Sequence, residues 1–173
     1  MKITIREIAT FAMLGALMFV SKFVMEIIPN VHLLGTFIVA FTLTYRAKAL
    51  LPISAYLFVN GLWEGFSPFS WLPEVYIWPV LWGATMLLPK RIPEKIKPFV
   101  YMTVSALHGL LFGVLYAPAY LAFSGMEPHT VLLWIASGFP YDCIHAVGNF
   151  VLGILILPIV NLLQKLTKAT RKA

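Results

Sequence analysis

The sequence predicts an all-α integral membrane bundle, a single domain over 1–173 with six transmembrane helices and both termini on the cytoplasmic side. Three observations carry this. The 173 residues are 60% apolar and only 12% charged, where a soluble domain carries about 25% charged residues. Mean hydropathy is +0.86, which excludes a soluble globule and a disordered chain alike. Finally, the charges flank the apolar stretches instead of interrupting them.

A spanning helix needs roughly 20 residues at 1.5 Å rise each. Six stretches qualify, in order 8–28, a short one at 29–45, 47–63 with Pro52 in its first turn, 70–88, 98–123 with a kink expected at Pro118, and 139–163 with Pro158 near its end. The first is too long for a secretory h-region, and no small-residue cleavage site follows it.

Charge placement tests this parse. Twelve of the 13 basic residues lie before span one (Lys2, Arg6), between spans two and three (Arg46, Lys48), between four and five (Lys90, Arg91, Lys95, Lys97) or after span six (Lys165, Lys168, Arg171, Lys172). Positive residues stay cytoplasmic, so the number of spans is even. Five of the seven acids (Glu26, Glu64, Glu74, Glu127, Asp142) sit towards the opposite side. The net charge of +6 is therefore a topology signal, and no nucleic-acid partner is expected. The outer connections at 64–74 and 124–129 mix Gly and Pro with aromatics that favour burial.

No nucleotide-binding loop, zinc-protease motif or nucleophile elbow is present. One cysteine, Cys143, excludes a disulfide framework. The four histidines (His32, His108, His129, His145) show no i, i+4 pair, so no metal site is expected. An intramembrane enzyme using His108 or His145 as base lacks a nucleophile at suitable spacing, so no catalytic residue is assigned.

Binding is the better-supported chemistry. Trp63, Trp71, Trp78, Trp82 and Trp134 all fall in the outer half of the expected topology. They form either an interfacial belt or an aromatic pocket that stacks on a flat ligand. Trp78 and Trp82 are four apart and share a helix face. Asn60 and Glu64 are four apart at the end of span three. Asp142, His145 and Asn149 follow i, i+3, i+7 and make one stripe at the start of span six. A polar stripe in hydrocarbon must face protein or a water-filled cavity, so these residues are either ligand contacts or helix–helix contacts. Lys22 and Glu26 are four apart and are expected to pair, the alternative being solute contact. The surrounding acids favour a neutral or cationic ring-bearing solute. Small residues remain: Ala9, Ala12 and Ala16 on span one, beside Gly15, and Gly109 with Gly113 on span five. Such stripes let helices approach closely, within the chain or against a partner.

Taken together, the chain resembles the substrate-binding S-components of energy-coupling factor (ECF) vitamin transporters. The resemblance rests on six spans, on Ala12 and Ala16 in an A-x-x-x-A of the first helix, and on the stretch from Pro140 to Asn149. It implies tight binding of one vitamin or precursor near the outer surface of a bacterial cell membrane. It also implies docking of a transmembrane coupling subunit on Ala9, Ala12 and Ala16, and two cytoplasmic ATPases that use ATP, with no cofactor bound by this chain itself. By the resemblance Asp142, His145 and Asn149 become ligand contacts; the aromatic-pocket reading adds Asn60, Glu64, Trp71, Trp78 and Trp82 to the expected binding set. Candidate solutes are cobalamin or another corrinoid, as in lactobacillus-type members, a thiamine or pyrimidine precursor, and a queuosine precursor. The rival reading is a cell-shape membrane scaffold of similar size, which needs no pocket.

Overall fold

Thr4 and Glu7 open the first helix by capping each other's backbone. The Thr4 side chain accepts from the Glu7 N–H, and the Glu7 carboxylate accepts from the Thr4 N–H. This satisfies two donors that a helix start otherwise leaves orphaned. Helix α1 then runs Ile5–Met25. It is followed by α2 (Leu34–Tyr45), a 3-10 turn (Arg46–Ala49), α3 (Leu50–Glu64), α4 (Trp71–Leu87), α5 (Lys97–Leu110), α6 (Phe112–Phe123), α7 (Pro128–Leu152), a second 3-10 turn (Gly153–Leu155) and α8 (Ile156–Lys172). This computed structural model describes residues 3–172, with side chains through Lys168. Lys2 and the side chains of Arg171 and Lys172 lie outside the described residues. Among those described, there is no strand.

Four helical stretches are long and apolar enough, by length and composition, to cross a membrane: Ile5–Met25, Leu34–Glu64, Lys97–Phe123 and Pro128–Lys168. Six were expected. The second and third run on without a loop, as α2 and α3 of only 12 and 15 residues joined by the 3-10 turn, with Arg46 at φ 56° ending α2. Helix α4, with 17 residues, spans about 26 Å at 1.5 Å per residue, short of the roughly 30 Å hydrocarbon core. Two further boundaries differ. The expected fifth span breaks at Leu111, not at Pro118, which sits inside α6. The last long helix starts at Pro128 instead of near 139, because Pro128 suits a first helical position and Pro140 is tolerated within the helix.

Helix α2 is the centre. Its residues from Leu34 through Thr42 are all buried, as expected of a helix apolar on every side. It packs against α4, α5 and α8. Helix α1 lies outside and packs chiefly on α3. Gly15 permits that contact: a Cβ there would lie 2.6 Å from the Ala55 Cβ and 2.8 Å from the Pro52 carbonyl oxygen. The outward faces are apolar, with Ile8, Met13, Val20 and Val24 exposed on α1 and Leu132, Leu133, Val147 and Val151 on α7. Arg6, Arg46, Lys48, Lys90 and Lys97 gather round two adjoining clefts that share Arg46. One end of the bundle is therefore basic. The starts of α1 and α3 lie there, and their other ends meet the start of α4 at the opposite end.

Gly109 and Gly113 serve packing within the chain. A Cβ on Gly109 would lie 3.1 Å from the Ala146 backbone nitrogen, and backbone cannot move aside. Replacing Gly109 with Val is expected to destabilise the bundle by about 1–3 kcal/mol through overpacking. Gly83 is the contrast, since a Cβ there meets nothing within 4 Å. Gly83→Ala should be neutral or stabilise by up to about 1 kcal/mol. Unfolding by SDS titration in mixed micelles measures both.

Candidate functional site

At the end of the bundle away from the basic clefts, a buried carboxylate organises three helices. Glu74 stands in the first turn of α4. Its Oε2 accepts from the Tyr56 hydroxyl at 2.8 Å, the Trp78 Nε1 at 3.2 Å and the Asn60 Nδ2 at 3.3 Å. The helical period makes this possible: Tyr56 and Asn60 are one turn apart on α3, and Glu74 and Trp78 one turn apart on α4. From α1, the Lys22 Nζ donates to Asn60 Oδ1 at 3.0 Å and forms an ion pair with Glu64. It lies 3.9 Å from Glu74 Oε1. The Asn60 amide has one sensible orientation here, with its oxygen towards the ammonium and its nitrogen towards the carboxylate.

A cavity of about 270 Å³ opens beside this network, beneath the connection between α1 and α2. Lys22, Glu26, Glu64 and Glu74 line it, so three carboxylates face one ammonium. Trp78 and Phe112 supply flat walls, their ring centroids 5.7 Å apart. The connection is held in place by Asn30, which sits at φ 59°, a conformation Asn tolerates. Its Nδ2 donates to the Tyr141 carbonyl at 3.3 Å.

Three histidines cluster around the same rings. His32, in the connection, stands edge-on to Trp78 at 5.9 Å and to His145 at 4.9 Å. His108 lies 5.5 Å from Trp78, and its Nε2 donates to the Ile77 carbonyl at 3.0 Å. The Nδ1 of His32, the Nδ1 of His108 and the Nε2 of His145 are buried without a hydrogen-bond partner in the protein, a condition that costs about 1–3 kcal/mol per group. Burial, with the Lys22 ammonium nearby, pushes the pKa of His32 down to about 4, so it is neutral at physiological pH. Among the described residues, no three His, Cys, Asp or Glu side chains are grouped to hold a metal ion.

The structure brings together some of the expected residues and separates others. Asn60, Glu64 and Trp78 meet at the Glu74 network. His145 joins the ring cluster through Phe112 at 4.7 Å. Trp82, although on the same helix face as Trp78, lies at the basic end, where its Nε1 donates to the Arg46 carbonyl at 3.1 Å. Trp71 closes the α3–α4 connection by donating to the Leu57 carbonyl at 2.7 Å. Trp63 is 64% exposed and packs edge-on to Phe23 at 5.4 Å. Trp134 stacks on Tyr120 elsewhere. Asn149 donates to the Ser105 carbonyl at 3.1 Å and is a helix–helix contact. Asp142 accepts from the Gly113 N–H, a donor freed by the break at Leu111. Lys22 pairs with Glu64 and not with Glu26, since α3 brings a carboxylate closer than the next turn of α1 does. Glu74, Tyr56, Phe112 and Tyr116 were not singled out as ligand contacts beforehand. The Glu74–Trp78 spacing of four was the available signal.

No family model matches the chain, and no curated protein or solved structure matches it.

The network makes a double-substitution test possible. Lys22→Met leaves two carboxylates facing each other without a cation, and should lower stability by about 1–3 kcal/mol. Adding Glu64→Gln should restore part of that loss. Melting temperatures of the single and double variants in detergent check it, and a double variant no better than Lys22→Met contradicts the pairing.

Proposed function

We propose that this chain is the substrate-binding S-component of an ECF-type vitamin importer, a receptor and not an enzyme. The solute is a compact, flat, neutral-to-cationic ring compound of the vitamin or vitamin-precursor class, held against Glu74 and Trp78. One observation carries the reading. Glu74, which lines the cavity, spends one oxygen on three neutral donors. Its Oε1 accepts no hydrogen bond among the described residues and has only the Lys22 ammonium at 3.9 Å, so it can still accept from a ligand N–H. The aromatic walls suit a planar ring, and unpartnered histidine nitrogens nearby suit its heteroatoms. Three carboxylates against one ammonium disfavour an anion.

Cavity size bears on the solute. Pockets for drug-sized ligands run from about 300 to 1,000 Å³, and this one holds about 270 Å³. That supports a single- or double-ring compound, such as a pyrimidine precursor, over cobalamin. A corrinoid macrocycle would require the α1–α2 connection to swing aside.

In this reading the protein sits in the bacterial cell membrane and crosses it six times, with α2 and α3 as two short crossings hinged at Arg46 and both termini in the cytoplasm. The gathering of Arg6, Arg46, Lys48, Lys90 and Lys97 at one end supports that orientation. A transmembrane coupling subunit docks on the α1 face that carries Ala9, Ala12 and Ala16, all exposed. Two cytoplasmic ATPases supply the energy.

Thermal stability of the purified chain against a panel of B-vitamins, corrinoids and nucleobase precursors tests the reading. A ligand at 100 times its dissociation constant stabilises by about 2.7 kcal/mol. A compact heteroaromatic is expected to raise the melting temperature, and Glu74→Gln is expected to remove that rise. No response across the panel would favour the scaffold reading instead. Replacing Ala12 and Ala16 with Leu should abolish uptake by the assembled importer and leave binding intact. Equal loss of both would count against docking on α1.

A further inference from the structure

A second cavity lies between α6 and α7, beyond the Phe112–Tyr116 pair from the Glu74 pocket. It is an open cleft of about 210 Å³. Tyr120 and Trp134 form one wall, stacked with centroids 4.2 Å apart and planes 25° from parallel. Phe112 and Tyr116, 5.0 Å apart, form another. Asp142 lies at the base, only 7% exposed. Both of its oxygens lie 3.2 Å from the same Gly113 N–H, and no other protein donor reaches it among the described residues. No Lys, Arg or His lines the cavity, and among the described residues Asp142 has no ion-pair partner.

A buried carboxylate with one shared backbone donor lacks a countercharge, and aromatic faces add negative potential to the same space. We infer that this cavity binds an organic cation, a quaternary ammonium or a cationic nitrogen ring, with Asp142 as countercharge and the aromatic walls as a cation–π cage. One carboxylate is too few oxygens for a hard metal ion, which takes six to eight when it is calcium. The ligand's cationic group can come from a soluble compound or from a lipid headgroup. The site does not depend on the importer reading, since its residues and charge balance stand whatever occupies the Glu74 pocket.

Gly138 offers a clean probe. It lines the cavity, and a Cβ there meets nothing within 4 Å. Gly138→Leu should therefore fill the space without disturbing the fold, and Asp142→Asn keeps an oxygen for Gly113 while removing the charge. The experiment is isothermal titration of choline, and of its neutral isostere 3,3-dimethylbutan-1-ol, into the full chain in maltoside micelles, with helicity of each variant checked by circular dichroism. Choline is expected to bind about tenfold or more tightly than the alcohol, the scale of a desolvated cation–π contact. Asp142→Asn is expected to weaken choline binding by a similar factor, and Gly138→Leu to abolish it. Native mass spectrometry separates the sources. Retention of phosphatidylcholine over phosphatidylglycerol, lost in Gly138→Leu, assigns the headgroup; choline binding without such retention assigns a soluble cation. Absence of choline binding to the folded wild-type chain, equal affinity for the alcohol, or undiminished binding to Gly138→Leu overturns the proposal.

Discussion

The carboxylate of Glu74, buried among helices, is the constraint on which the rest of this end of the molecule depends. An acid in a low-dielectric interior is tolerated only when donors surround it. Here the donors come from α3 (Tyr56, Asn60) and from α4 itself (Trp78), while α1 sends Lys22 to the edge of the network. Satisfying one acid therefore fixes the mutual position of three helices. It also fixes the indole plane of Trp78, and with it one wall of the cavity.

This arrangement follows from what holds helices together where the surroundings are apolar. Lipid tails are as apolar as leucine, so burial of apolar surface does little to join helices there; close contact and polar bonds do the joining. Gly15 brings α1 against α3, and Gly109 brings α5 against α7. Between these contacts run polar bonds: Lys22 to Glu64, Asn149 to Ser105, and Asp142 to Gly113. The Glu74 cavity and the Asp142 cavity lie on either side of Phe112 and Tyr116. The basic clefts occupy the other end.

Helical content and the placement of charge were legible in the chain because both depend on local composition. The small residues of α1 left packing within the chain and contact with a partner equally open; in the structure Ala9, Ala12 and Ala16 are exposed and only Gly15 beside them is buried. The candidate site was legible only in part. Trp78 and Trp82 share a helix face, yet four residues of helix separate them by about 6 Å along the axis. That is enough to place one at the cavity beside Glu74 and the other against Arg46. Lys22 chose Glu64 over its own-helix neighbour Glu26, because tertiary packing outweighs an i, i+4 pair worth only a few tenths of a kcal/mol. The break at Leu111 falls between Gly109 and Gly113, which read from sequence as a packing pair and not as a helix break, and Asp142 across the interface holds the freed Gly113 N–H. Glu74 gave one hint, its spacing to Trp78, but its other donors lie on a different helix and no local pattern reveals them.

The bond between Glu74 and Trp78 is the most direct point of test. Uniform labelling of the tryptophan indoles with ¹⁵N gives five Nε1–H resonances, which single Trp→Phe variants assign. Glu74→Gln is expected to move the Trp78 resonance far more than those of Trp82 and Trp134, which bond or stack elsewhere. A Trp78 resonance that stays in place would mean that the carboxylate does not hold the indole, and that the wall of the cavity is not fixed by Glu74.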